Sequence, residues 1–164
     1  MRAAPDADPA PLRFRISWVL RAELALGPAP RHLSHVVALE EQGVRGVLSL
    51  CSLHEAPPPA ELEQRLLCRR VPLPDHRSGR APEPHELEQA LTALRQLRQE
   101  GPVFVHCVAA VERSPLLCLG WLMQRRRLSQ LQALDYLMQV HPGTGPLPEQ
   151  LASLRTLLNS LGES

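Results

Sequence analysis

Val103-Phe104-Val105-His106-Cys107-Val108-Ala109-Ala110-Val111-Glu112-Arg113-Ser114 passes from a short apolar strand, Val103 to Val105, into a helix predicted from Ser114 to about Arg126. A loop that runs from a strand into a helix N-terminus offers unpaired backbone N–H groups and a positive dipole end, which together suit a phosphate dianion. Cys107 stands at the start of that loop. The field there favours thiolate over thiol, and a thiolate is a nucleophile at neutral pH. Arg113, six positions later, returns to the same spot and can hold two phosphoryl oxygens through its forked donors. Val108, Ala109, Ala110, Val111, Glu112 and Arg113 are therefore the expected substrate-binding residues.

Working outward, Arg13 to Leu20 and Glu23 to Leu26 predict two strands with a bend near Arg21, stopped by Gly27 and Pro28. Leu33, Val36, Val37 and Leu39 share one helix face that ends at Gly43, and Val44 to Leu50 then forms a buried strand. A short helix opens at Pro57 and runs through Leu66. Leu67 to Leu73 predicts a further strand, stopped by Pro72 and Pro74. After the loop Pro74 to Pro84, a leucine stripe from Leu87 to Leu97 predicts a helix ending near Gly101. Helices from Ser129 to about Val140 and from Glu149 to about Leu161 follow Arg126. This order implies an α/β domain: a central, mostly parallel sheet of four to five strands flanked by helices, with the anion loop between the last strand and a helix. Residues 1–12 are expected to be a flexible leader, and 13–161 a single domain.

Composition narrows the function classes. The 164 residues carry 18 basic and 17 acidic side chains, and 21% of the chain is charged, so no nucleic-acid partner is expected. Every base among the 18 is Arg, which removes Schiff-base lysine chemistry and the lysine-dependent phosphate loop. No apolar run approaches the ~20 residues that cross a bilayer, so no membrane partner is expected. Cys51, Cys68, Cys107 and Cys118 form no C-x-x-C pair. They read as reduced thiols of a soluble, cytoplasmic protein without zinc. A monomer that needs no metal and no cofactor is expected.

Cys107-x5-Arg113 followed by Ser114, with His106 before the cysteine, resembles the signature loop of the cysteine-dependent protein tyrosine phosphatase superfamily. The order of elements is similar to its compact, atypical dual-specificity branch. Ser17-Trp18-Val19-Leu20, Gly43 to Leu50 and Leu73-Pro74-Asp75 extend the likeness, which spans roughly Phe14 to Leu158. The resemblance implies that Cys107 attacks phosphorus to give a cysteinyl-phosphate, that Arg113 stabilises the equatorial oxygens, and that Asp75 protonates the leaving oxygen. It further implies that Ser114 hydrogen-bonds the Cys107 sulfur and that His106 supports the loop from beneath. Some relatives protect the nucleophile by a disulfide to a cysteine at the strand end, which makes Cys51 the candidate redox partner.

Aspartate supply offers an independent check. Asp6 and Asp8 lie in the leader and Asp135 within a helix, so Asp75, in a proline-bounded loop after a strand, is the one candidate acid. Two departures from the family pattern stand out. Ala110 replaces the usual glycine, and if the backbone needs positive φ there, the strain is of order 1 kcal/mol. Pro115 follows Ser114, at little cost in a helix's first turn.

The implied substrates are phosphotyrosine and phosphoserine or phosphothreonine on proteins, because the chain lacks the length and aromatic content of the tyrosine-specific enzymes. Two alternatives remain open: a weakly catalytic phosphate-recognition module, if Ala110 distorts the loop, and a phosphatase of a small non-protein phosphoester that meets Arg77 and Arg80. Arg125 to Arg127 is expected to be solvated surface. Glu149 and Gln150 read either as helix N-terminal acid and surface amide or, by resemblance, as a position for the hydrolytic water.

Overall fold

Short apolar runs alternate with amphipathic segments along the chain, and the structure, a computed structural model describing residues 13–162, places five strands among the helices. β1 (Ser17–Leu20) and β2 (Leu24–Gly27) form a hairpin whose turn holds Ala22 at a φ of 59°. α1 (Leu33–Glu41), β3 (Gly46–Ser49), the short α2 (Glu61–Arg65) and β4 (Leu67–Arg70) follow. A 3-10 turn, His76–Ser78, precedes α3 (Pro84–Arg98) and β5 (Val103–His106). The chain ends in α4 (Arg113–Arg126), α5 (Gln130–Val140) and α6 (Pro148–Gly162). The expected leader, residues 1–12, lies outside the described residues.

The strand order is β1-β2-β5-β3-β4, with β1 antiparallel to β2 and every other pair parallel. This is the mostly parallel α/β sheet that the sequence predicts. β5 is central, and its His106 pairs with Gly27 on one side and Ser49 on the other. The loop after β5 therefore emerges at the carboxyl ends of the parallel strands, where open α/β sheets keep their ligand crevice.

Side-chain alternation divides the core. Leu24, Leu26, Leu48, Val103 and Val105 face one side with the apolar faces of α3, α4 and α6; Ala25, Val47 and Phe104 face the other with Val36, Leu39 and Leu62 of α1 and α2. α4 is buried along most of its length because it lies beneath β2 and β5 and between α3, α5 and α6. α1 ends as its glycine predicts. Gly43 has a φ of 88°, its N–H reaches Glu40 O at 3.0 Å, and Val44 N–H reaches Leu39 O at 3.0 Å.

The strand expected over Leu67 to Leu73 is shorter than the sequence suggests. Val71 and Leu73 still donate to Ser49 and Leu50 carbonyls at 2.9 Å, but Pro72 between them has no N–H, so the ladder breaks. Among the described residues no helix is long and apolar enough to cross a membrane.

Gly27 closes β2 under tight constraint. A Cβ there would lie 2.1 Å from Arg15 O and 3.0 Å from the Phe104 ring. Gly27→Ala is expected to destabilise the protein by about 3 kcal/mol or more, as an overpacked core position does. Thermal unfolding should show a loss on the order of 10 °C, and an unchanged midpoint would contradict this packing.

Candidate active site

The loop between β5 and α4 is held from outside by its carbonyl oxygens. Cys107 O lies 2.9 Å from His106 Nδ1, Val108 O accepts from Ala29 N–H at 3.1 Å, Ala110 O lies 2.7 Å from His141 Nε2, and Val111 O accepts from Gly145 N–H at 2.8 Å. A carbonyl oxygen only accepts, so both ring nitrogens carry protons. His106 Nε2 then accepts from the Ser49 hydroxyl at 2.7 Å, and His141 Nδ1 accepts from Ser17 Oγ at 2.9 Å. Burial pushes the His106 pKa down to about 4 and also lowers that of His141, which keeps both rings neutral in these tautomers. Among the described residues, none of the backbone N–H groups of residues 108–112 donates to a protein acceptor. A ring of amides is thus left for an anion at the N-terminus of α4.

Cys107 is buried at the start of this ring, its Sγ 3.3 Å from Ser114 Oγ in the first turn of α4. Arg113 is 3% exposed, and its two terminal nitrogens already have protein partners. Its Nη1 donates to Leu73 O at 3.1 Å and to Glu55 Oε2 at 3.2 Å, while Nη2 donates to Glu55 Oε1 at 3.0 Å. The bidentate carboxylate fixes the plane of the guanidinium, so little further ordering is needed when an oxyanion arrives. Burial pushes the Glu55 carboxyl up, but the Arg113 guanidinium and the Ser52 N–H outweigh it and hold the pKa below its ordinary value.

Asp75 faces the same space from the loop after β4. Its Oδ1 accepts from Arg77 N–H at 3.0 Å and caps the 3-10 turn, its Oδ2 accepts from Arg77 Nε at 2.9 Å, and Arg113 Nη2 stands 3.8 Å away. Burial raises its pKa, yet the hydrogen bonds from Arg77 and the Arg113 charge bring it below the ordinary carboxylate value. A cavity of about 240 Å³ is lined by Cys107, Val108, Ala109, Val111, Glu112 and Arg113 of the loop and by Asp75, His76 and Arg77. Sulfur, guanidinium and carboxylate meet there. Such a site can hold a tetrahedral oxyanion, present sulfur to its centre and exchange a proton at its mouth.

Ala110 does not line the cavity. It has a φ of 60°, the left-handed conformation that the family's glycine reaches freely, and its methyl is buried in the core. Cys51 is buried at the end of β3 and burial pushes its thiol pKa up; its carbonyl accepts from Arg70. Arg80 is paired with Glu86 through two contacts of 2.6 and 3.1 Å. Arg125, Arg126 and Arg127 are exposed, as expected of solvated surface, and Arg125 lies 4.7 Å over the Trp121 ring.

Gln150 corrects the reading of a surface amide. It is 2% exposed, its Oε1 accepts from Leu147 N–H at 2.7 Å, and its Nε2 donates to Glu112 Oε1 at 2.9 Å. Burial of the α6 start against the anion loop is the cause. The sequence reading missed Glu55, His141 and Ser49 as supports of the site. For Glu55 a signal existed: an acid just beyond the carboxyl end of a predicted parallel strand, flanked by the Pro57-Pro58-Pro59 stop. Among the described residues no cluster of three or more His, Cys, Asp or Glu side chains is disposed to hold a metal ion.

Comparison with known proteins supplies a family. Residues 26–159 match the family described as dual specificity phosphatase, catalytic domain. The chain is similar to dual specificity protein phosphatase 5 of Rattus norvegicus, 36% identical over 53 residues, which is 32% of this chain and 14% of that relative's length. Among solved structures it is similar in fold to Tk-PTP in its active form, at a TM-score of 0.76 and 24% identity over 88% of this chain and 96% of that one. It is also similar to the human tyrosine phosphatase-like serine/threonine/tyrosine-interacting protein, at a TM-score of 0.78 and 16% identity over 93% of this chain and 100% of that one.

The conformation of Ala110 makes a quantitative expectation possible. Ala110→Gly relieves about 1–2 kcal/mol of left-handed strain, but it removes a buried methyl worth about 0.8 kcal/mol and adds about 0.4–1 kcal/mol of unfolded-chain entropy. These nearly cancel. Thermal unfolding should move by no more than about 3 °C, and kcat/KM on an aryl phosphate should equal or exceed that of the parent. A tenfold loss would mean that the methyl is fitted to the loop.

Proposed function

Because the chain belongs to the dual specificity phosphatase family through its catalytic domain, we propose that it hydrolyses phosphotyrosine and phosphoserine or phosphothreonine on proteins through a cysteinyl-phosphate intermediate. The observation that carries this reading is the convergence on one cavity of Cys107, Arg113 and Asp75 beneath amides turned inward by their own carbonyl tethers.

In the first step the Cys107 thiolate attacks phosphorus while the bond to the leaving oxygen breaks, and Asp75 gives that oxygen its proton. Arg113 and the loop amides stabilise the equatorial oxygens. In the second step water attacks phosphorus, Asp75 takes the proton from water, and the sulfur leaves with a hydrogen bond from Ser114. His106, buried and neutral, holds the loop through the Cys107 carbonyl and takes no proton.

The lowered pKa of Asp75 supports a first proton that comes in with the substrate. With its carboxyl ionised in the free enzyme, the proton arrives on the substrate monoanion, and the negative charge of the bound phosphoryl group then favours the protonated carboxyl.

Substrate class follows from the walls of the site. Among the described residues no Phe, Tyr or Trp lines the cavity, which supports a shallow site open to both alcohol and phenol esters. Arg80 is taken by Glu86, and Arg77 is committed to Asp75 and Glu55, which favours a single phosphoester over a multiply phosphorylated small molecule. The alternative of a pure recognition module rests on a loop distorted by Ala110; the positive φ of that residue supports a loop that closes in spite of it. All four cysteines are free thiols, which supports a reducing compartment such as the cytoplasm. Cys51 remains the proposed redox partner of Cys107.

Steady-state kinetics with an aryl phosphate test the reading. Cys107→Ser should abolish turnover and keep binding of inorganic phosphate. In the parent, kcat/KM should fall as pH rises past the second ionisation of the phosphoester, about pH 6. Asp75→Asn should remove that alkaline limb. Retained turnover in Cys107→Ser, or an unchanged limb in Asp75→Asn, would contradict the assignment.

A further inference from the structure

Glu112 has its backbone in the anion loop and its carboxylate elsewhere. Oε1 accepts from the His76 backbone N–H at 3.1 Å and from Gln150 Nε2 at 2.9 Å, and Oε2 lies 2.5 Å from His76 Nδ1. A carboxylate in a loop built for a dianion opposes binding by like-charge repulsion unless other groups take up its charge. Three donors do so here. The side chain of Glu112 is 14% exposed and Gln150 is 2% exposed, so these contacts are shielded from water on one side.

His76 is the residue after Asp75. The acid and its 3-10 turn form one stiff unit, since both Asp75 oxygens are bonded to Arg77 two residues on. Besides the 3.8 Å approach of Arg113 Nη2 to Asp75 Oδ2, two side-chain contacts fasten that unit to the rest of the site. One is the Arg77 to Glu55 pair at 3.4 Å, from a side chain 64% exposed, and exposed pairs contribute about 1 kcal/mol at most. The other is the Glu112 carboxylate, which grips both the backbone and the ring of His76 and is itself anchored through Gln150 to the start of α6.

We propose that Glu112 is a positioning residue for the proton donor: with Gln150 behind it, its carboxylate fastens the acid turn to the anion loop and holds Asp75 at the mouth of the Cys107 cavity. This rests on the reading of Asp75 as the acid. Glu112 does not touch the reacting atoms through its side chain, and it acts only through His76. A displacement of the acid by about an ångström is enough to forfeit much of general-acid catalysis, which is worth roughly 10²–10⁴-fold in all.

The experiment compares phenyl phosphate, whose leaving group needs a proton, with 4-nitrophenyl phosphate, whose leaving group needs it far less. The readout is the ratio of their kcat/KM values. Glu112→Ala should depress phenyl phosphate about tenfold more than 4-nitrophenyl phosphate, a fraction of the whole acid effect. Glu112→Gln retains an oxygen for the His76 N–H and should restore the parent ratio. His76→Ala, at a side chain 58% exposed where folding is not at stake, should shift the ratio in the same direction by a smaller amount, about threefold. In an Asp75→Asn background, Glu112→Ala should move the ratio no further.

Equal losses on both substrates in Glu112→Ala, or an unchanged ratio in His76→Ala if Glu112→Ala does not fold, would overturn the proposal. So would a further change of ratio in the absence of Asp75. An unchanged ratio in Asp75→Asn alone would bring down the acid assignment and the proposal with it, whereas a changed ratio there beside a parental one in Glu112→Ala would bring down the proposal alone.

Discussion

The outward hydrogen bonding of four loop carbonyls, those of Cys107, Val108, Ala110 and Val111, is the constraint on which the rest of the site depends. A peptide plane that points its oxygen outward points its N–H inward. Each tether contributes about 1 kcal/mol net, but their joint effect is directional: they convert a stretch of backbone into a preformed anion site at the mouth of α4. The partners come from three separate places in the chain. Ala29 follows β2, His106 ends β5, and His141 and Gly145 follow α5, so the hairpin, the central strand and the helical tail all converge on one loop.

The same logic governs the charged groups. Arg113 has its guanidinium held by Glu55 and the Leu73 carbonyl before any ligand binds, and Asp75 has its carboxyl held by Arg77. Ordering costs are met on folding rather than on binding. Strain is met there too. Ala110 sits at a φ that costs an ordinary residue about 1–2 kcal/mol, yet burial of its methyl and the His141 bond to its carbonyl offset that cost.

Local sequence carried much of this architecture. Leucine and valine periodicity broken by glycine and proline placed the helices and strands to within a few residues, because each stop has a backbone cause: Gly43 in the left-handed region, Pro72 without a donor. The order β1-β2-β5-β3-β4 has no such local cause and could not be read. In the site, Cys107 and Arg113 were legible because one loop carries both, and Asp75 because few aspartates exist. Glu55, Ser49 and His141 were not, since each meets its partner across 58, 57 and 31 residues and only the sheet brings them together. Gln150 was misread for the same reason. Its burial depends on where α6 docks, which no periodicity encodes.

The most direct test of the inward-facing amides is nuclear magnetic resonance of uniformly nitrogen-15-labelled Cys107→Ser protein titrated with inorganic phosphate. The account predicts saturable shifts centred on the backbone amides of Val108, Ala109, Ala110, Val111 and Glu112, with the largest changes inside the loop. Shifts that leave these amides in place and fall on other parts of the surface would contradict it.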